Sequence, residues 1–325
     1  MGPPSNTIIT FVATDCRHAN NFHPGGGVSD YMKTIFANSL PQLEFYRYLI
    51  GAVGPRPIAF ASTVSREGHV NLSPYSFFNV IGSNPPMLML SPNLNRHGQK
   101  KHTLLNLEET GEVVINIVNY AMVEQMSLAS AEYDRHVNEF QKAGFTEAQS
   151  EQVRPPRVAE APAAFECVVR QLIPTGTNPG AGTLVLAEVL VGHFRDDIFT
   201  DKGIIDPHKL DPVGRLGADW YVRASGDALF EVARPTAGVG HDALPADLRN
   251  SRILTGNDLG KLASTPALPT PDEVRTYGDT PALRELIMEA HTGCQYLPDV
   301  LHHRAHQLLA QHNVREAWLT LLQLP

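Results

Sequence analysis

The sequence predicts a mainly β fold, a β-barrel with short helices, followed by a mostly helical C-terminal extension. Three observations predict it. Up to about residue 235, apolar residues fall in short runs rich in β-branched and aromatic side chains, broken by turn chemistry. These runs do not alternate with helical patterns, as a doubly wound parallel sheet would require, and neither a G-x-G-x-x-G after a strand nor a P-loop is present. From about residue 236 the chain becomes polar and Pro/Gly-broken, then turns to apolar residues at helical spacing.

The elements follow in chain order. Residues 1–39 read as a poorly ordered arm, with Met-Gly-Pro-Pro at its start and Pro24-Gly25-Gly26-Gly27 within it. Residues 40–54 lead into the first strand. From Pro57 to Val64 the side chains alternate, with Ile58, Phe60, Ser62 and Val64 on one face and Ala59, Ala61 and Thr63 on the other. The turn Ser65-Arg66-Glu67-Gly68 returns the chain through His69-Val70-Asn71-Leu72. A polar loop over 93–102 precedes a short helix over 103–109, with Thr103 as its expected N-cap and Gly111 as its stop. Residues 112–118 are a strand, 120–133 are helical, and 165–173 and 183–194 are two long strands joined by Pro174-Thr-Gly-Thr-Asn-Pro-Gly-Ala-Gly182. The predicted division is therefore an arm over 1–39, a barrel domain over 40–235 and a helical extension over 236–325. In the extension Leu283, Leu286, Ile287 and Ala290, and then Val314, Ala317, Trp318 and Leu321, mark helical faces.

Composition narrows the function classes. With 325 residues, 42% hydrophobic and 18% charged, the chain can bury a substantial core. Its formal net charge of −8 and the lack of a long basic run argue against nucleic acid as a partner. Its 3 cysteines, Cys16, Cys167 and Cys294, are far apart and form no C-x-x-C, which favours a reducing cytoplasm over a disulfide framework. No run approaches the ~20 apolar residues of a membrane helix.

Several residue groups carry chemistry. Ser62, Thr63, Ser73 and Ser76 stand beside Tyr75, Phe77 and Phe78, which suits a flat ligand that hydrogen-bonds along its edges; an ordinary antiparallel strand pair explains the same pattern. Arg96, Lys100 and Lys101 before a helix start offer cations and N–H donors to a phosphate, or form a solvated basic loop. His302 and His306 would share a helix face, but no Glu or Cys completes a metal set, so a solvated face is expected and no metal. Cys167 and Cys294 lack flanking cations and are read as packing residues.

The stretch GPRPIAFASTVSREGHVNLSPYSFFNVIGSNPPMLMLSP, with NRHGQKKHTLLNLEETGEVVINIVNY, AEYDRHVNEFQKAGFT, VRPPRVAEAPAAFEC and VGRLGADWYVRA after it in order, resembles the flavin reductase-like, FMN-binding split-barrel family, its flavoredoxin branch in particular. The resemblance covers residues 40–235. It implies a split barrel that binds FMN, as a homodimer with the flavin at the subunit interface. It implies that the flavin ring lies against Ser62, Thr63 and Val64 and against Ser76, Phe77 and Phe78, with Ser91 nearby, and that the phosphate lies near Arg96, Lys101, His102 and Thr103. Many members carry Lys-Asp-Thr where this chain has Lys101-His102-Thr103, which removes a carboxylate acceptor and adds positive character. His136 stands where many relatives have Gly, and is the candidate catalytic proton donor or shuttle over the ring, or else a surface histidine. The implied activity is hydride transfer from NADH or NADPH onto bound flavin, with electrons passed to free flavin, a monooxygenase or another acceptor protein. The alternative is a non-catalytic FMN electron-transfer protein of flavoredoxin type, and a third reading is a barrel that has lost its flavin.

Overall fold

The computed structural model describes residues 32–324. Expectations placed on residues 1–31, Cys16 among them, lie outside the described residues. The chain divides between Leu229 and Phe230 into two compact units.

The first unit holds helices α1 (Gln42–Ala52), α2 (His102–Thr110), α3 (Val123–Leu128), α4 (Glu139–Ala143) and α5 (Pro207–Leu210). Its strands are β1 (Ala59–Val64), β2 (Val70–Tyr75), β3 (Phe78–Ser83), β4 (Pro86–Leu90), β5 (Glu112–Ile117), β6 (Glu147–Ala148), β7 (Arg157–Val158), β8 (Ala163–Pro174), β9 (Thr183–Phe194), β10 (Val213–Arg215) and β11 (Tyr221–Arg223). Seven of them form one antiparallel sheet in the order β2-β1-β5-β8-β9-β4-β3. β2 and β3 are its opposite edges, yet only Ser76 and Phe77 join them. A flat seven-stranded sheet would put its edges ~29 Å apart. The three Cα steps from Tyr75 to Phe78 span no more than ~11 Å. The sheet must therefore curl until its edges meet, which makes it a split barrel.

Burial agrees with that closure. Every one of the seven strands sends a residue into one cluster: Ala59 and Ala61, Tyr75, Phe78, Leu90, Val113 and Ile115, Cys167, and Val185 and Ala187. The other face of β1 and β2, with Phe60 and Leu72, packs under Met122, Met126 and Phe140 from the helical layer. The alternation read from Pro57 to Val64 is thus real, but both faces of β1 are covered. The predicted turn closes as expected, with Ser65 N–H donating to His69 O at 2.9 Å, and Gly68 adopts φ +93°, where a side chain would be strained.

Two elements differ from the sequence reading. Residues 40–54 hold helix α1, whose amphipathic spacing is short and partly aromatic. The helix expected over 120–133 is a 3-10 turn at Tyr120–Met122 followed by α3, and it ends at Leu128. There Ser130 Oγ donates to Ser127 O at 2.6 Å, a local side-chain bond that competes with helix continuation.

The second unit is helical: α6 (Ala246–Arg249), α7 (Gly256–Ala263), α8 (Pro271–Gly278), α9 (Pro281–Thr292), α10 (Leu297–Ala310) and α11 (Val314–Leu321). Thr255 with Asp258 and Thr270 with Glu273 close capping boxes at the starts of α7 and α8. Leu262, Leu309 and Trp318 lie at the centre of its core. No helix among the described residues is long and apolar enough to cross a membrane.

Candidate functional site

The first turn of α2 is the natural starting point, because the sequence leaves it chemically open. Lys101 occupies the N-cap position in extended conformation, and no side chain caps the helix. Its leading N–H groups therefore stay available to a ligand. Thr103, expected as the cap, lies one turn position inside the helix and is fully buried. Its hydroxyl is already engaged: Asn71 Nδ2 and Tyr75 Oη both donate to Thr103 Oγ1, each at 2.8 Å. Asn71 Nδ2 also reaches Thr63 Oγ1 at 3.4 Å, and Asn106 Nδ2 donates to the same oxygen at 3.1 Å. This buried chain of amides and hydroxyls fixes the start of α2 onto β1 and β2.

Two open cavities flank that turn. One, of about 390 Å³, is lined by Asn71, Ser73, Lys101, His102, Tyr133 and Glu139 among others. The other, of about 460 Å³, is lined by Tyr46, Asn93, Leu94, Arg96 and Lys101. Lys101 belongs to both. Among the described residues neither Lys101 nor Arg96 meets a carboxylate, whereas Lys100 is tied to Glu108 at 2.7 Å. Lys101 Nζ lies 5.8 Å from the centre of the Tyr75 ring, and Arg96 Nε donates to His97 Nε2 at 3.1 Å. His102 is held below the ordinary histidine range by burial and then by Arg135, with Asp134 opposing. That shift favours the neutral imidazole. Asn93 lines the second cavity, and its Oδ1 is a buried acceptor with no partner among the described residues.

The sequence-derived site residues fall into groups. Arg96, Lys101 and His102 line the cavities. Ser76, Phe77 and Ser91 gather at the split between the barrel edges: Ser91 N–H donates to Phe77 O at 2.9 Å, and Phe77 meets the Tyr46 ring edge-on at 6.4 Å. Gly182 completes that corner, since a Cβ there would fall 2.5 Å from Ser91 Oγ. Arg56 braces it from behind, with Nη2 donating to Leu216 O at 2.9 Å and Nε to Ser76 Oγ at 3.5 Å. Phe78 and Val64 are buried, Phe78 inside the barrel. Thr63 is within the hydroxyl–amide chain, and Ser62 is fully buried on the opposite face, across from Leu72, with Oγ unpartnered. Neither lines the two cavities. His136 is exposed, its ring 6.0 Å from that of His69 and two residues past the cavity residue Asp134.

Three further residues were not found by sequence reasoning. Tyr46 comes from the unexpected helix α1. Asn71 looks like an ordinary strand residue. Glu139 follows the helix-capping Asn138, so its carboxyl reads as helix-start chemistry, yet it is almost wholly buried. Outside the cavities, Cys167 is a packing residue as expected, its thiol pushed up to about 12 by burial and then by Glu166. Cys294 is exposed, contrary to expectation, at a left-handed turn after α9. The His302–His306 face is not solvated as a whole: His302 is buried against Ser251 Oγ at 2.8 Å, and His306 pairs with Asp258 at 2.8 Å.

An uncapped helix start and two cations unpaired with carboxylates, on adjoining cavities, are the donor set that a phosphate-bearing flavin requires. The residues present fit FMN at that end. Comparison with known proteins gives the same class. Residues 53–207 match the flavin reductase like domain. An uncharacterized protein of Aquifex aeolicus is 36% identical over 187 residues, which is 58% of this chain and 93% of that protein. The crystal structure of nitrilotriacetate monooxygenase component B from Bacillus cereus superposes with a TM-score of 0.59 at 31% identity, covering 63% of this chain and all of that one. The structure of a 2-nitrobenzoate 2-nitroreductase from Pseudomonas fluorescens gives 0.57 at 29% identity over 66% of this chain and 99% of that one. The chain belongs to the flavin reductase-like family of split-barrel flavoproteins.

Proposed function

We propose that this chain is an FMN-dependent oxidoreductase of the flavin reductase type. It takes hydride from NADH or NADPH onto bound flavin and passes electrons to free flavin or to a partner protein. The observation that carries the reading is Lys101 at the uncapped start of α2, shared by two cavities and unpaired with any carboxylate among the described residues. Two structural relatives are named as a monooxygenase component and a nitroreductase, which supports a redox role with a partner or small-molecule acceptor.

Bound FMN supplies the two-electron chemistry; the protein supplies binding, orientation and electrostatics. Arg96, Lys101 and the first N–H groups of α2 hold the phosphate. The corner formed by Ser76, Phe77, Ser91 and Tyr46 receives the ring, and the Asn71–Thr103–Tyr75 chain keeps α2 in place beneath it. Proton delivery belongs to His136, on the exposed loop beside the cavity. The active form is a homodimer, and its compartment is the reducing cytoplasm.

The test is an absorbance spectrum of the purified protein before and after anaerobic NADH or NADPH. Flavin bands that bleach with either nucleotide are the expected result. Bands that persist with both but bleach with dithionite would favour an electron carrier. A colourless protein that takes up no added FMN overturns the flavin reading.

A further inference from the structure

Two further cavities of the barrel unit share no lining residue with those at the start of α2. One, of about 460 Å³, is walled by apolar side chains, with Asn79 as the one polar side chain of its lining among the described residues. Its wall begins in the barrel core: Leu88 belongs to that core, and Ile117, Phe165 and Val189 pack against it. It ends in solvent at Val80 of the edge strand β3, which is 66% exposed. The mouth of a β-barrel is a usual place for a small-molecule site.

The other, of about 500 Å³, is lined by Arg157, His193 and Arg195 and, among the described residues, by no carboxylate. Arg195 is already paired with Asp197, through Nε and Nη2, each at 3.0 Å. His193 Nε2 meets the fully buried Glu166 at 2.6 Å. Arg157 is different. Its Nε and Nη2 donate to Gln149 O at 3.1 and 2.9 Å, and neither a carboxylate nor an acceptor for Nη1 meets it among the described residues. A guanidinium oriented by a neutral carbonyl keeps its charge for an anion. Phe194 lines both cavities. Its ring meets Phe165 edge-on at 5.7 Å and Phe199 at 6.0 Å. Gly192 allows that placement, since a Cβ there would fall 2.8 Å from Phe194 Cε2. An apolar cavity and a cationic one thus adjoin at a single aromatic ring.

We propose that the two cavities form one site for an amphipathic monocarboxylate. Its carboxylate lies on Arg157, and its apolar body passes Phe194 into the cavity lined by Leu88 and Val189. A purely apolar molecule leaves Arg157 without an anion, and a bare inorganic anion leaves the apolar wall in water. A molecule with one anionic head and an apolar body matches both. The shared ligand chemistry has two sources, an acyl chain or an aryl ring on a short alkyl acid. The inference stands apart from the flavin reading, because it uses none of the residues at the start of α2.

The experiment titrates the purified full chain by calorimetry with octanoate and 4-phenylbutyrate, and with their neutral alcohols 1-octanol and 4-phenyl-1-butanol. At least one acid should bind about tenfold or more tightly than its alcohol, the scale of one charge-assisted hydrogen bond. The tighter acid identifies the acyl or the aryl source. Arg157→Gln should remove the margin between acid and alcohol, and Phe194→Ala should weaken both. A margin that survives Arg157→Gln overturns the proposal. Should that variant fail to fold, the wild-type comparison still decides: failure of both acids to bind at millimolar concentration, or alcohols that bind as well as their acids, overturns it. An acid that competes with added FMN sits at the start of α2 instead, which also overturns it. If Val80→Asp splits a dimer of the wild-type chain and no acid binds, a second copy covers the apolar wall and the proposal falls.

Discussion

The two units of this chain treat buried polar groups in opposite ways. In the helical unit they serve the fold. Asp258 accepts from Thr255 N–H at 2.8 Å and its hydroxyl at 2.7 Å and pairs with His306. Trp318 Nε1 donates to Leu262 O at 3.1 Å, and Lys261 Nζ to Leu309 O at 2.7 Å. In the barrel unit several groups are left over. Among the described residues Ser62 Oγ, Asn93 Oδ1, Asn106 Oδ1 and Asn119 Oδ1 are buried without partners there, against His302 Nε2 alone in the helical unit. A buried unpaired group destabilises a fold unless something binds to it. Of these only Asn93 lines a cavity, the one it shares with Lys101 and Arg96, so the barrel's open polar chemistry is concentrated at the start of α2.

The largest effect should come from the helical unit, where structure is all that is at stake. Trp318 is fully buried among Leu262, Leu309 and Leu321. Trp318→Ala is expected to cost that unit about 3–5 kcal/mol by the cavity it leaves, read from its denaturant midpoint. A loss under ~1 kcal/mol would mean the helical core is not organised around the indole. Next comes the ligand side of the comparison. Lys101→Glu should weaken FMN binding by about 1.5–3 kcal/mol, the range for a hydrogen bond to a charged group, in a fluorescence titration. An unchanged dissociation constant removes Lys101 from the site.

Thr103→Val sharpens the comparison where fold and site overlap. It keeps the shape but leaves Asn71 and Tyr75 without their shared acceptor. A stability loss of about 1–3 kcal/mol is expected, accompanied by weaker FMN binding as the start of α2 loosens. A stability loss with FMN affinity intact would show that the hydroxyl–amide chain serves the barrel alone.

How much of this was legible in the sequence follows from how local each signal is. The strand over 59–64, its turn at Gly68 and the two long strands β8 and β9 are written in alternation and turn residues, which act over a few positions. So is the cationic loop at Arg96 and Lys101. Helix α1 was not legible, because none of its residues is buried and its hydrophobic stripe is weak. Thr103 was misread for a different reason. As a Thr before an apolar run it fits an N-cap, and only the long-range approach of Asn71 and Tyr75 draws its hydroxyl inward. Glu139 carries no mark at all, since its burial arises when α4 closes over the edge of β2. Local chemistry is in the chain; the pairing of distant groups is in the topology.

The smallest expected effect tests the one exception in the helical unit. Ser251 Oγ accepts the N–H groups of Ile253 and Leu254, both at 3.1 Å, so its own hydrogen is free to donate to His302 Nδ1. That arrangement needs a neutral imidazole with the proton on Nε2. Burial lowers the pKa of His302, Asp247 and Asp299 pull it back in part, and the net direction is down. The folded state thus binds fewer protons than the unfolded chain once pH falls below the ordinary histidine value of about 6.5. The contribution of His302 to stability is complete above that value and declines as pH falls toward its lowered folded pKa. Thermal melts from pH 8 to 5 should show the helical transition moving down only in the acidic half. His302→Gln should flatten that part of the curve, because no group at that position then takes up a proton. A slope equally steep in the variant would assign the acid sensitivity to other groups and leave His302 as a neutral packing residue.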